Sequence, residues 1–314
     1  MSLPAHLQRL IYIDSCRKIE NIVQVSDFDL ELIDKVLSPA GGPYGNCSSL
    51  ELENGNRLIY IRSFGYRLQG KPEDPAPGAP GWNFVLTTVG GVCPRLLGID
   101  SPHPELDPSR VEDLRLYRHR GRLRAIGSYV CERGGKGTPR KIGILILDLV
   151  LHAAAGSIEI SPVYCSWKDT RVTLPRVTKN WMPIEGDEGK VIYEIAANHL
   201  TVFDIETGIM TSTTFPVNGR LSGGPPTVRL QNGNLLLLCH DKPRSNYRFQ
   251  LLEISPGWIL VRRSPWFKFS KTPVEFCTHM EVRGDQVEFI YTVLDQRSYR
   301  CTLPIDDLFR PLGT

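Results

Sequence analysis

Glu112, Asp113 and Arg115 stand together in the stretch VEDLRLY, an acidic pair followed closely by a cation. Paired carboxylates do glycosidic chemistry: one protonates the leaving oxygen, and the other acts as base or positions the sugar. Cations serve the same chemistry when one substrate carries phosphate, because they bind the anion and stabilise developing charge. Arg62, Arg67, Lys179, Arg220 and His240 are basic side chains available for that task. Asn46, Asn180 and Glu275 add groups that hydrogen-bond sugar hydroxyls. Trp181 and the region of Tyr66 offer flat apolar surface for the C–H side of a sugar ring. Gly223–Gly224, just after Arg220, either lets backbone N–H groups approach an anion or makes a tight bend.

These residues are spread along most of the chain, so the fold must gather them. Each lies in or beside one of five copies of a single pattern: a polar opening, an alternating run, a glycine-bearing turn and a second apolar run. The copies fall near residues 46–62, 111–129, 179–195, 222–240 and 275–295. Their turn glycines, Gly55, Gly121, Gly189, Gly233 and Gly284, follow one another at 66, 68, 44 and 51 residues. Two of those intervals match a four-stranded propeller blade of about 40–50 residues. The two longer ones carry Pro- and Gly-rich loops, such as Gln69 to Trp82. Asn-Gly and Arg-Gly at the turns are hairpin chemistry. The pattern predicts an all-β chain, one five-bladed β-propeller domain over residues 1–314, with a pair of β-sandwiches as the competing architecture. In a propeller the innermost strand of each blade starts near the axis. The polar openings, Ser48 and Ser222 included, therefore meet around one mouth of the channel. Only Ser26 to Leu37 reads as a helix, with a serine N-cap and an acidic first turn.

Composition narrows the classes. The chain has 314 residues, 41% hydrophobic, with 37 basic against 34 acidic side chains and a net charge of +3. That balance argues against a nucleic-acid or membrane-surface partner. None of the eight cysteines forms a Cys-x-x-Cys pair or zinc-like spacing, so neither metal nor other cofactor is expected. Met1 to Arg9 lacks the apolar core of a signal peptide. Ile142 to Ala155 is too short to span a bilayer, is interrupted by Asp148, and reads as buried strand plus connection. A reducing, cytoplasmic setting with inert buried thiols is the expectation.

VEDLRLY, KNWMPI, SGGPPTVRL and VEFCTHMEVRGDQVEFIYTVLD resemble the five-bladed propeller enzymes around glycoside hydrolase family 130, the β-mannoside phosphorylases and related mannosyltransferases. The resemblance runs in order from Asn46 to Leu308. It implies Asp113 as general acid, with Arg115 beside the ligand, and Lys179–Asn180 as the pair that binds phosphate and sugar. It implies Asp295 as a sugar-hydroxyl ligand or second carboxylate, and Arg62 or Arg67 as the first-blade arginine. Two departures stand out. Leu114 replaces the family's proline, and Val191 to His199 carries no His-Arg-Pro triplet, where the family's histidine helps to bind phosphate. The second departure shifts weight from inorganic phosphate toward a sugar phosphate or nucleotide sugar.

Three functions follow as expectations. The first is inverting hexosyl (by resemblance mannosyl) transfer to or from a phosphate-containing partner. The second is hydrolysis, with Glu112, Glu275 or Asp295 as the base. The third is a non-catalytic sugar-binding propeller, since the fold hosts many functions. Each residue also has a plainer role: Asp113 in an ion pair with Arg115, Asp295 in a turn, His240 at a strand end, Trp82, Trp167, Trp258 and Trp266 in packing.

Overall fold

The computed structural model describes residues 17–18, 26–27, 44–63, 82–87, 95–100, 106–107, 110–132, 141–175, 179–187, 189–196, 198–217, 219–243, 246–270, 272–294 and 297–310. Five glycine-turned hairpins appear where the repeat places them, and each seeds its own sheet. The inner strands of blades 1, 2 and 5 are Tyr44–Glu51, Val111–His119 and Glu275–Arg283. Blade 3 opens with Met182–Pro183. Blade 4 splits its inner strand into Ser222–Gly223 and Val228–Arg229.

The apolar runs are continuous because both faces of each blade are buried. Leu235, Leu237 and Cys239 pack toward blade 3, while Leu236 and Leu238 pack toward blade 5. Ile144 and Ile146 likewise face blade 3, and Leu145 and Leu147 face blade 1. Side chains alternate across a strand, so one Leu/Ile run supplies two cores. The same holds around the whole circle. Separate hydrophobic clusters join blades 1–2, 2–3, 3–4, 4–5 and 5–1, the last built from Cys47, Ile59, Ile61, Val85 and Ile290. The ring is a five-bladed β-propeller, as the repeat predicts. Polar bonds fasten it near the axis: the Leu116 N–H donates to Ser48 Oγ at 2.9 Å, and Thr278 Oγ1 donates to the Cys47 carbonyl.

The N-terminal region departs from expectation. Ser26–Asp27, the first two residues of the expected helix, form a strand, antiparallel to Arg300 and Tyr299 at the outer edge of blade 5. That edge would otherwise present unpaired N–H and C=O groups, and the ladder with Ser26–Asp27 covers part of it. Arg17–Lys18 pairs in parallel with Phe267–Lys268 of blade 4. Residues 28–37 lie outside the described residues. Lys141–His152 is a strand whose apolar residues are mostly buried, as Ile142 to Ala155 predicts. Among the described residues no helix is long and apolar enough to cross a membrane.

Trp181 fills the blade 2–3 core rather than forming a sugar platform. It is fully buried, with the rings of Phe203, Tyr193 and Tyr164 at 5.2, 5.5 and 6.0 Å. The polar opening around it concealed this, because the rings that bury Trp181 come from later strands of its own blade and from blade 2. Trp181→Ala is expected to cost about 3–5 kcal/mol by urea unfolding, the usual range for emptying such a site. A loss below 1 kcal/mol would show that the cluster collapses around the gap.

Candidate active site

Three blade openings share one backbone peculiarity. Asn46, Asp113 and Asn180 all have left-handed φ, at 50°, 57° and 62°. Asn and Asp tolerate this conformation better than other non-glycine residues. In blades 1 and 2 the residue lies within a ladder irregularity, between Gly45 and Ser48 and between Glu112 and Arg115. Such a bulge re-aims a side chain out of the alternation of a strand. Blade 2 makes room for its bulge with Gly127: a Cβ there would lie 2.7 Å from Leu114 Cδ2 and 2.8 Å from the Glu112 carbonyl.

The re-aimed groups converge. Asn46 Nδ2 donates to Asp113 Oδ1 at 2.6 Å, and Arg62 Nη1 donates to the same oxygen at 3.1 Å. Arg62 Nη2 also pairs with Glu112 Oε1 at 3.4 Å. Lys179 Nζ reaches the other oxygen of Glu112 at 3.2 Å. Blades 1, 2 and 3 thus contribute one connected set: amide, two carboxylates and two cations. Asp113 Oδ2 makes no hydrogen bond among the described residues, and the side chain is part-exposed. Lys179 and Asn180 in turn line a small cavity of about 40 Å³ with Arg220, Ser222 and Gly223 of blade 4. The blades touch there: a Cβ on Gly223 would lie 2.2 Å from the Asn180 carbonyl. Gly223 is therefore required for blade contact.

Arg115 crosses the axis. It is fully buried, and its Nη1 donates to the Gly224 carbonyl of blade 4 at 2.5 Å. Its Nε has no partner, and no carboxylate pairs with it among the described residues. Burial lowers its pKa to about 10, against the opposing pull of Asp113. His240 stands opposite Ser222 in the blade 4 ladder, 5% exposed, with rings of Tyr247, Phe276 and Phe249 around it and Nδ1 unpartnered. Burial, then Arg115, holds its pKa at about 4, so at neutral pH it is a neutral imidazole and not a cation.

The remaining residues divide. Arg220 is well exposed and pairs with Glu194 at 3.2 Å. Glu275 is fully buried, its oxygens taken by the N–H groups of Phe269 and Ser270 and by Ser270 Oγ. It anchors a turn of blade 4 and does not reach the Asp113 group. Arg67, Tyr66 and Asp295 lie outside the described residues. At the far end of blade 5, His279, Glu281 and Glu288 approach one another, but Arg57 lies 3.5 and 3.2 Å from the two carboxylates. That group is a charge network linking blades 5 and 1.

Two buried groups oppose each other in pH. Burial raises Glu275 to about 7 from 4.5, with Ser270, Lys268 and the Phe269 amide pulling the other way. Across that interval the folded chain keeps a proton that the unfolded chain releases, so stability falls as pH rises. His240, lowered from 6.5 to about 4, does the reverse: the unfolded chain binds the extra proton, and stability rises with pH. Glu275→Gln is expected to gain stability from pH 4.5 to 6.5, and His240→Asn to lose it, each by up to about 3 kcal/mol. Wild type stays nearly flat across the shared window. Urea midpoints at half-unit pH steps decide; parallel curves for all three proteins would remove both assignments.

No family model matches the sequence, and no curated protein matches it. Solved structures do resemble it. One belongs to the GH130 family of mannoside phosphorylases, described as containing hydrolases that target β-1,2 mannosidic linkages in Candida mannan: TM-score 0.56, 12% identity, 87% of this chain and 88% of that one. Another is the β-1,2-mannobiose phosphorylase of Listeria innocua in complex with β-1,2-mannobiose, at TM-score 0.52 and 14% identity over 85% and 90% of the two chains. A third is a GDP-Man-dependent mannosyltransferase from Leishmania mexicana, at 0.51 and 15% over 87% and 88%. At these identities the likeness is one of fold, and it spans nearly the whole of each chain.

Gly127 is the site residue that sequence reasoning missed. Its only signal was a glycine inside an apolar run, opposite the acidic opening in the second copy.

Proposed function

We propose that this chain is a carbohydrate-active enzyme that transfers a hexosyl unit, mannosyl by likeness, between a sugar hydroxyl and a phosphate-bearing partner, with inversion at C1. The observation that carries the reading is the arrangement around Asp113. One carboxylate oxygen is tied down by Asn46 and Arg62, the other makes no hydrogen bond among the described residues, and Lys179 stands within the same network. In the degradative direction, a phosphate oxygen attacks C1 as the glycosidic C1–O bond breaks. Asp113 supplies the proton to the departing oxygen, directly or through a sugar hydroxyl. In synthesis the acceptor hydroxyl attacks, its proton passes to Asp113, and phosphate or nucleoside diphosphate leaves. Lys179 and Arg62 stabilise the anion, and Arg115 fixes the floor beneath it. Asn46 and Asn180 hold sugar hydroxyls.

Hydrolysis needs a second carboxylate free to activate water. Of the candidate bases among the described residues, Glu112 is held by two cations and Glu275 is buried, which favours transfer; Asp295 lies outside the described residues. The test incubates the protein with mannose 1-phosphate or GDP-mannose plus β-1,2-mannobiose, and separately with mannobiose with and without phosphate. Product formation that depends on the phosphorylated partner supports transfer. Free mannose released in water alone would replace it with hydrolysis. Absence of turnover in every arm, with mannobiose bound, would leave a sugar-binding propeller.

A further inference from the structure

Blade 2 carries a second cavity, of about 630 Å³, at the same end of the ring as Asp113. Tyr129 lines it, and Tyr129 is the ladder partner of Val111, next to Glu112. The cavity extends outward from there across the ends of the neighbouring strands, to Val163 and Trp167. Trp167 follows the fourth strand of the blade in the chain, but its indole folds back over the third strand to meet Tyr129, one strand away from Val111.

The aromatic floor is built, not incidental. The rings of Tyr129 and Trp167 stack at 4.7 Å and 15°. Gly143, opposite Tyr129 in the next ladder, lets the indole settle on the backbone: a Cβ there would lie 2.7 Å from Trp167 Cε3. The turn bearing Trp167 is pinned on both sides. Ser166 exchanges bonds with Ile144, through its N–H at 3.0 Å and its Oγ at 2.8 Å, and the Lys168 N–H donates to the Cys165 carbonyl at 2.9 Å. A platform ordered in advance costs little to occupy.

The rim is polar: two of its three cations, Lys141 and Arg110, are paired with carboxylates, and Lys168 is the third. Lys141 pairs with Glu132 at 3.7 Å, and Arg110 pairs with Asp107 at 3.2 Å while donating to the Cys131 carbonyl. Compensated charges attract a phosphate weakly, yet offer donors and acceptors to hydroxyls. An aromatic floor with such a rim suits a neutral polyhydroxylated ligand.

We propose that this cavity binds the distal units of a neutral oligosaccharide whose reacting end lies at Asp113, so that the enzyme prefers chains over disaccharides. The proposal rests on reading the Asp113 group as a glycan site. Its test separates the two. With β-1,2-mannobiose and β-1,2-mannotetraose as acceptors, wild type is expected to show the lower KM for the tetraose. In Trp167→Ala the ratio of the two KM values falls about tenfold. The rim variant Glu132→Ala/Lys141→Ala, which leaves the aromatic stack in place, lowers the ratio about threefold, and serves if loss of the indole impairs folding. Saturation-transfer NMR with mannotetraose on wild type is expected to show contact with aromatic protons that Trp167→Ala loses. That readout needs no turnover, so binding without catalysis sustains this inference while sinking the transfer reading. An unchanged KM ratio in both variants, with transfer intact, overturns the inference alone. Weakened GDP-mannose binding in Trp167→Ala, with mannotetraose unaffected, would assign the cavity to the donor nucleotide and overturn it too.

Discussion

Asp113→Asn is expected to lower kcat for transfer by about 10²–10⁴-fold, the usual contribution of a positioned acid or base. The substitution is gentle on structure. Asparagine accepts the left-handed φ of 57° at this position, and its Oδ1 still receives hydrogen bonds from Asn46 and Arg62. What disappears is the exchangeable proton on the second oxygen. The loss should therefore fall on kcat, with KM for the sugar nearly preserved and the melting temperature close to wild type. Rates for the variant at saturating donor are the measurement. A reduction of less than tenfold would remove Asp113 from the proton-transfer role and leave it as a ligand.

The second large effect concerns Arg115, where stability and activity should separate. A buried guanidinium that spans from blade 2 to a single carbonyl of blade 4 bears a heavy desolvation cost. No carboxylate pairs with it among the described residues. Arg115→Met removes that cost and keeps most of the volume, at the expense of one hydrogen bond to Gly224, worth about 1–2 kcal/mol. The variant is expected to be as stable as wild type or more so, while transfer falls at least 10²-fold because the anion loses the charge beneath it. A folding cation would behave oppositely: destabilisation beyond about 3 kcal/mol would make Arg115 a strut between blades. Protein engineered for stability at this position would be expected to lose function, the usual direction of that trade.

The sequence by itself determined the local terms. Glycine at each hairpin turn, alternation in each strand and polar residues at each opening are properties of short segments, and five repetitions at near-blade spacing were enough to predict a ring. The apolar run that starts at Ile142 was legible as buried strand, because it is too short to span a bilayer and is interrupted by Asp148, and it forms a strand whose apolar residues are mostly buried. Tertiary structure alone decided which polar residues meet. Asp113, Asn46, Arg62, Glu112 and Lys179 converge because irregular ladders and left-handed residues turn them off the strand alternation, and periodicity cannot report such a turn. Trp181 and Glu275 had the right residue types at the right openings, yet both are buried: rings of blades 2 and 3 close over Trp181, and a turn at Phe269–Ser270 wraps the Glu275 carboxylate, contacts that residue type and alternation do not report. The strand at Ser26–Asp27 is the same lesson nearer the chain's start: two polar residues with no strand signal of their own pair with an open sheet edge that lies far away along the chain and adjacent only in space.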